Sequence, residues 1–412
     1  MSDLIELTLT DIANGGQALG RQGDKTIFVP YAIPGETLTA RIVEDRGRYA
    51  FAEGVQLLDA SLDRVMPTCP HFGPKRCGGC QWQHIDYPAQ LALKTDILVD
   101  QLSRIGGFED APVQMTLSSP QLWHYRHEAI LYPLPDARLG FRSTDGKSPF
   151  LTEECYIITP NLLILSDQLD LQLDTLTEVI LRDNSAGDCM VALSTTDDVP
   201  PELEMDIAAS VNFLLSDREP ANLIGSTHLT YHILGKPYRV TAGSFWRCQP
   251  TQIETLAALL VQWVNLQGNE SILDLYGGVG LFSGVLAPYA NLVTCVDSYP
   301  PAMTDAEENL QEFDNIDVIE ADVAEALANL PEDHYDIAIF DPPKEGLSLE
   351  VIDALEAVLP DRVVYIGEDP ATLSRDLKRL HQRYGYQLDQ IQPLDFEPHT
   401  YRTVTAAHLH RE

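Results

Sequence analysis

The last third of this 412-residue chain alternates short apolar runs with helix-like stretches, and that alternation restricts the fold more than any other feature. Strands are expected near 271–275, 291–297, 316–320, 336–341 and 362–366. Helices are expected near 281–288, 301–313, 323–329, 349–358 and 371–384. Two final runs, 387–394 and 402–409, fit an antiparallel pair. A strand followed by a helix and then another strand makes a crossover, so the sheet is mostly parallel and ligands sit at the strands' carboxyl ends. The class is α/β, with a doubly wound C-terminal domain.

Those strand ends carry chemistry. "SILDLYGGVGLFSGVLA" leaves a strand and opens a helix through Gly277, Gly278 and Gly280, a loop whose backbone can approach a ligand closely. NAD is one candidate, but its fingerprint places a third Gly where this chain has Ser283. The acids favour S-adenosylmethionine. Asp274 precedes the glycines, where it can meet an ammonium group, and Asp297 ends the next strand, where it can accept ribose hydroxyls. Asp322 follows the third strand, within reach of an adenine edge. Asp341 ends the fourth in "FDPPKEGL", with Pro342 and Pro343 forming a rigid turn over the methyl group. Singly, such acids are more often helix caps or solvated turn residues; four at successive strand ends form a constellation.

Upstream, residues 1 to about 58 read as a small β barrel, with alternating runs separated by "NGGQALGR" and "IPGE". A central region, 59–240, is strand-like and irregular and includes an acidic, loop-like tract "STTDDVPPELEMD"; the doubly wound domain is 241–412. Cys69, Cys77 and Cys80 cluster in "CPHFGPKRCGGCQWQ", and Cys155 is the best candidate for a fourth ligand. On spacing alone a four-cysteine zinc site is the commoner arrangement, and an iron–sulfur cluster needs the same ligands. Cys189, Cys248 and Cys295 lie in apolar runs and read as core.

The net charge of −35 argues against a generally basic nucleic-acid binder, although a local positive path is compatible with it. No apolar run reaches the ~18 residues of a membrane span, and "MSDLIELTLTD" lacks a leader pattern, so a soluble, cytoplasmic monomer is expected.

These pieces, in this order, resemble the uracil-C5 RNA methyltransferases. The barrel is similar to a TRAM domain, and "CPHFGPKRCGGCQWQ" with Cys155 resembles that family's 4Fe–4S site, which shifts the expected metal from zinc to iron–sulfur. "TAGSFWRCQPTQIETL", "DLYGGVGLFS", "FDPPKEGL" and "PATLSRDL" resemble its successive motifs. The resemblance implies an RNA partner, rRNA or tRNA. It also implies that Tyr276, Gly278, Gly280, Leu281, Asp297, Asp322 and Asp341 hold the cofactor, with Arg247 standing where the family has a cofactor-binding Gln.

At the catalytic turn the chain departs from the family. The family pattern there is Ser-Cys-Asn-Pro, whose thiol adds to uracil C6; this chain has Gly367, Glu368, Asp369 and Pro370. Val404 stands at or beside the family's C5-deprotonating Glu. A carboxylate is far too weak a nucleophile to replace the thiolate, so no catalytic residue of that route is present. Cys248 is a conceivable stand-in. The Asp-Pro-Pro turn is similar to that of amino-group methyltransferases, with Lys344 in place of the aromatic residue those enzymes place next. Two readings follow: an active transferase on another acceptor atom, or a non-catalytic RNA-binding scaffold.

Overall fold

The computed structural model describes residues 4–136, 138–202, 206–330 and 335–411. Strands β1 (Leu4–Ile12), β2 (Ala18–Gln22), β3 (Lys25–Val29), β4 (Thr37–Asp45) and β5 (Tyr49–Asp59) close into a barrel in the order β1-β2-β3-β5-β4. In β1, Leu7 and Leu9 point inward at period two, and an irregularity in the register between Leu9 and Asp11 lets Ile12 face the core as well. Closure leaves no unpaired edge. The first turn holds Gly16 at φ +81, and a Cβ there would lie 2.7 Å from the Tyr401 side chain. The barrel therefore meets the C-terminal part of the chain at a contact only glycine permits.

Helix α1 (Tyr87–Gln101) bridges the barrel and the last domain: Ile97 joins the barrel core and Leu98 the core of the last sheet. Lys94 on this helix pairs with Asp395 at 2.5 Å, both fully buried. A pair so desolvated fixes geometry more than it adds stability.

The central sheet comprises β6 (Glu128–Pro133), β7 (Leu139–Arg142), β8 (Pro149–Phe150), β9 (Leu176–Asp183), β10 (Cys189–Thr195), β11 (Ser210–Leu214) and β12 (Pro220–Ile224). It runs in the order β12-β11-β10-β9-β6-β7-β8, with α2 (Pro160–Gln168) packed on β9. The acidic tract follows β10 as irregular chain, and 203–205 within it lie outside the described residues. A hairpin of β13 (His228–Ile233) and β14 (Lys236–Thr241) leads to α3 (Pro250–Val264).

The final sheet contains β15 (Ser271–Leu275), β16 (Leu292–Asp297), β17 (Ile316–Glu320), β18 (Ile337–Phe340), β19 (Arg362–Gly367), β20 (Gln387–Leu394) and β21 (Val404–His410). Its order is β17-β16-β15-β18-β19-β21-β20; the first five are parallel, β21 runs antiparallel to β19, and β20 runs antiparallel to β21. Alternate residues feed opposite cores. Ile272, Ile337, Ile339, Val364 and Ile366 join one core, and Leu273, Leu275, Ala338, Phe340 and Tyr365 the other. Both faces are covered, which is why these strands read as continuous apolar runs.

Helices α4 (Leu281–Leu286), α5 (Pro300–Leu310), α6 (Val323–Asn329), α7 (Leu349–Ala354) and α8 (Pro370–Tyr384) fill the connections. The helices expected at 281–288 and 349–358 are shorter in α form, ending in tight three-residue turns at Ala287–Tyr289 and Leu355–Ala357. Pro288 has no N–H to continue the first of these ladders. Among the described residues no helix is long and apolar enough to cross a membrane.

Candidate active site

The loop between β15 and α4 is built from left-handed residues, with φ of 62° at Tyr276, 54° at Gly278 and 80° at Gly280. A Cβ on Gly278 would meet nothing within 4 Å, so this turn faces open space. Beneath it Asp274 is fully buried. Its Oδ2 accepts bonds from the Ser283 amide at 2.9 Å and hydroxyl at 2.7 Å. Ser283, where a dinucleotide loop would carry Gly, thus anchors the helix start to the strand. Asp274 Oδ1 is buried with no partner, and burial pushes the carboxyl up to about 6. A cationic ligand group would satisfy that oxygen and lower the group again.

Asp297 accepts the Gly278 amide at 3.0 Å and the Tyr299 amide at 2.9 Å, so it braces the glycine loop. Asp322 is exposed and caps α6, its Oδ1 taking the amides of Ala324 and Glu325. The helix-cap role is therefore real, and it leaves Oδ2 for a ligand. Tyr276 feels both acids: burial first, then Asp322, Asp376 and Asp297, push its phenol up to about 12. Leu281 is buried at the helix start. The residues expected at successive strand ends thus gather around one open loop.

The two adjacent acids of the turn between β19 and α8 have separate jobs. Asp369 caps α8, accepting from Ala371 at 3.0 Å and Thr372 at 2.9 Å. Glu368 accepts a hydrogen bond at 2.5 Å from Nη1 of Arg247, whose Nη2 donates to Asp341. One buried guanidinium therefore holds two carboxylates, and the rings of Phe245 and Phe396 lie 5.2 and 5.7 Å from its central carbon. Burial, opposed by Arg247 and reinforced by Glu368, pushes Asp341 up to about 7. Glu beside Asp341 would be two like charges in a desolvated place, and Arg at 247 offsets them. Arg247 and Glu368, the two residues at which the sequence departs from the pattern it resembles, are thus paired with each other.

Val404 begins β21, is buried, and lines a cavity of about 130 Å³ together with Glu368, Lys344, Phe396, Tyr401 and Arg402. Cys248 is not on that wall. Its burial pushes the thiol up to about 12, and it lies among Arg126, Glu397 and Glu128. A thiol held protonated and out of the cavity is not a substitute nucleophile. Cys295 is core as expected, whereas Cys189, at the start of β10, and Cys248 are only partly buried.

Cys69, Cys77, Cys80 and Cys155 line one small cavity with Arg126 and Phe141, although Cys155 is 75 positions beyond Cys80 in the sequence. The Gly79 amide donates to Cys77 Sγ at 3.4 Å. Among the described residues, no three or more His, Cys, Asp or Glu side chains form a group that could hold a metal ion.

A feature the sequence reading missed is a broad groove between the barrel and α1. Phe28, Tyr49 and Phe51 form an aromatic cluster on its wall, with centroids 5.5 to 6.2 Å apart, beside Arg21 and Arg48. The signal was present in the aromatic residues of "KTIFVP" and "RYAF". Asp11 on the barrel and Asp96 and Asp100 on α1 also line it and keep it from being a simple basic patch.

Residues 3–55 match the model of the TRAM domain, and residues 235–385 match a model described as conserved hypothetical protein 95. Similar proteins include an uncharacterized RNA methyltransferase of Aquifex aeolicus, 30% identical over 98% of each chain. Another, of Halalkalibacterium halodurans, is 28% identical over 99% of this chain and 97% of its own. The fold is similar to that of the Pyrococcus abyssi tRNA (uracil-54, C5)-methyltransferase in complex with S-adenosyl-L-homocysteine. The TM-score is 0.76 at 24% identity, covering 98% of this chain and 100% of that one.

Proposed function

The chain belongs to the TRAM-bearing RNA methyltransferase family, on the uracil-C5 pattern its motifs resemble, and from that premise we propose that it transfers methyl groups from S-adenosylmethionine to RNA without a thiol adduct. The observation that carries this is the Arg247–Glu368 pair at the position of the nucleophile. C5 of uracil becomes nucleophilic only after a thiolate adds at C6, and neither Glu368 nor the protonated Cys248 supplies one. A nitrogen acceptor needs no such adduct; it needs a group to take its proton, and Asp341 is such a group.

The cofactor reading draws support from the open turn at Gly278, the unpartnered Asp274 oxygen and the bracing of the loop by Asp297. When bound, the cofactor supplies an electrophilic methyl group on a sulfonium. The residues Arg247, Tyr276, Gly278, Gly280, Leu281, Asp297, Asp322 and Asp341 surround or brace its site, with Arg247 acting through the two carboxylates it holds. RNA enters, in this reading, across Phe28, Tyr49 and Phe51, which offer stacking faces with Arg21 and Arg48 alongside.

Cys69, Cys77, Cys80 and Cys155 are proposed to hold a 4Fe–4S cluster, the four thiols set around a shared cavity. The preference for a cluster over zinc rests on the resemblance of this cysteine pattern to the family's 4Fe–4S site, since both groups use four thiolates. Anaerobically purified protein is expected to contain about four irons per chain. Stoichiometric zinc in their place would sink the cluster assignment.

The deciding experiment is transfer of labelled methyl from the cofactor to unmodified RNA, followed by nucleoside analysis. Label in a base other than 5-methyluridine supports the function. Tight cofactor and RNA binding with no transfer would establish the scaffold reading in its place.

A further inference from the structure

The cavity beside the catalytic turn deepens that reading, on which this inference rests. Its floor has an acceptor-only group: the Glu368 side chain is 34% exposed, lines the cavity, and is held in place by Arg247 through Oε1. A carboxylate offers about four lone-pair sites, so the bond to Arg247 leaves capacity for further donors. Tyr401 and Phe396 line the same cavity, and Tyr401 is packed against the barrel's Gly16 turn, which fixes its position. Lys344 and Arg402 also line it as cations, alongside Asp369 and Glu397, with Arg402 paired to Glu397 at 3.4 Å. Aromatic walls, an edge-reading polar group and nearby cations are the parts needed to hold one unstacked nucleobase.

Which base fits follows from donors and acceptors. Uracil presents a carbonyl oxygen on either side of its single N–H, and carbonyls facing a carboxylate repel. Adenine and cytosine present one amino donor beside an acceptor nitrogen. Guanine alone presents two adjacent donors, N1–H and the N2 amino group, which a carboxylate accepts together as it accepts the forked donors of Arg. Val404 fits the same conclusion: apolar and buried, it cannot take a proton from carbon, and methylation at nitrogen needs none taken there.

We propose that this cavity takes a guanine of the RNA, read at its N1–H and N2 amino edge by Glu368, and that one of these two nitrogens accepts the methyl group. In the step, the nitrogen lone pair forms the new N–C bond as the C–S bond breaks. The sulfonium becomes a neutral thioether, and the proton lost goes to a carboxylate: to Glu368, which holds the N1 proton, or, for the second N2 proton, to Asp341, held beside Glu368 by the same guanidinium. The position of Asp341 near neutrality suits a proton acceptor at physiological pH.

The test uses the full chain, labelled S-adenosylmethionine and a pool of rRNA and tRNA transcribed in vitro, with nucleosides separated afterwards. The expected product is an N-methylguanosine. Glu368→Gln is expected to lower kcat/KM for RNA at least about tenfold, one charged hydrogen bond's worth, while calorimetry shows the cofactor's Kd within about twofold of the original. RNA transcribed with inosine, which lacks the N2 amino group, is expected to lose most of the labelling. Label on methylated adenosine, cytidine or ribose would overturn the guanine assignment and leave the thiol-free transferase standing. Label in 5-methyluridine would overturn both. Absence of label with cofactor bound is the failure of the transferase reading itself, and this inference falls with it. Labelled guanosine undiminished in Glu368→Gln would overturn the role given to Glu368.

Discussion

Nη1 of Arg247 donates to Oε1 of Glu368 at 2.5 Å, joining two residues 121 positions apart at the centre of the candidate site. The Arg247 side chain is 5% exposed and that of Glu368 34%, so the pair sits at the boundary between core and cavity. The same guanidinium holds Asp341, whose side chain is 12% exposed.

Arg247→Ala would leave Asp341 and Glu368 as uncompensated neighbours, and a loss of roughly 3 kcal/mol is expected for stranding a buried carboxylate. Arg247→Gln combined with Glu368→Cys, which restores both family residues, is expected to cost clearly less than the sum of the single changes. Urea unfolding of the four proteins measures the coupling. Additive losses would show that the two substitutions are independent.

RNA containing 5-fluorouracil traps enzymes that add a thiol to C6, because fluorine at C5 cannot leave as a proton does. No denaturant-stable complex is expected from the unaltered chain, as judged by gel mobility with cofactor present. Restoring the route calls for Arg247→Gln with Glu368→Cys and Val404→Glu, since a lone guanidinium over the new thiol and Asp341 would change the pocket again. A trapped complex on the unaltered protein, mapped to any cysteine, would overturn the thiol-free assignment.

Cofactor binding is expected to depend on Asp297 doubly, through the ligand and through the Gly278 and Tyr299 amides it braces. Asp297→Ala is expected to weaken binding by about 1–3 kcal/mol, measured by calorimetry. Asp322→Ala should weaken it too, with a small loss of stability from the vacated cap on α6. Unchanged affinity in Asp297→Ala would place the cofactor elsewhere.

Asp341 and Asp274 are both raised above the usual carboxylate range, to about 7 and about 6, burial being the largest cause in each. Between pH 4 and the folded value the unfolded chain has released the proton and the folded chain retains it. Stability from these groups is therefore fully present below about pH 4 and is lost as pH rises towards 6 and 7. Asp341→Asn is expected to flatten the fall in stability over that interval, with Asp274→Asn flattening its lower part. Denaturant midpoints at pH 4.5, 6 and 7.5 supply the check; identical slopes in Asp341→Asn and the original protein would contradict it.

The sequence by itself determined the elements and the loop. Strand and helix periodicities are local, so β15 to β19 lie within two residues of their expected ends, and Gly278 and Gly280 announce a left-handed turn because few other residues adopt it. The helix cap at Asp369 is also local, a contact with residues two and three positions onward, but the sequence left the role of the two acids open. Only the tertiary structure decided what Glu368 does. Its partner comes from the segment before α3, brought over the end of β19 by the parallel sheet, and no local pattern records that meeting. The same holds for the cavity, where Tyr401 and Val404 at the last connection meet Lys344 from the loop after β18, and for the thiols, where Cys155 joins the other three from 75 positions beyond Cys80. Charge pairing and cavity shape depend on distances in space, which the chain fixes only once its two layers of apolar side chains have packed against the sheet.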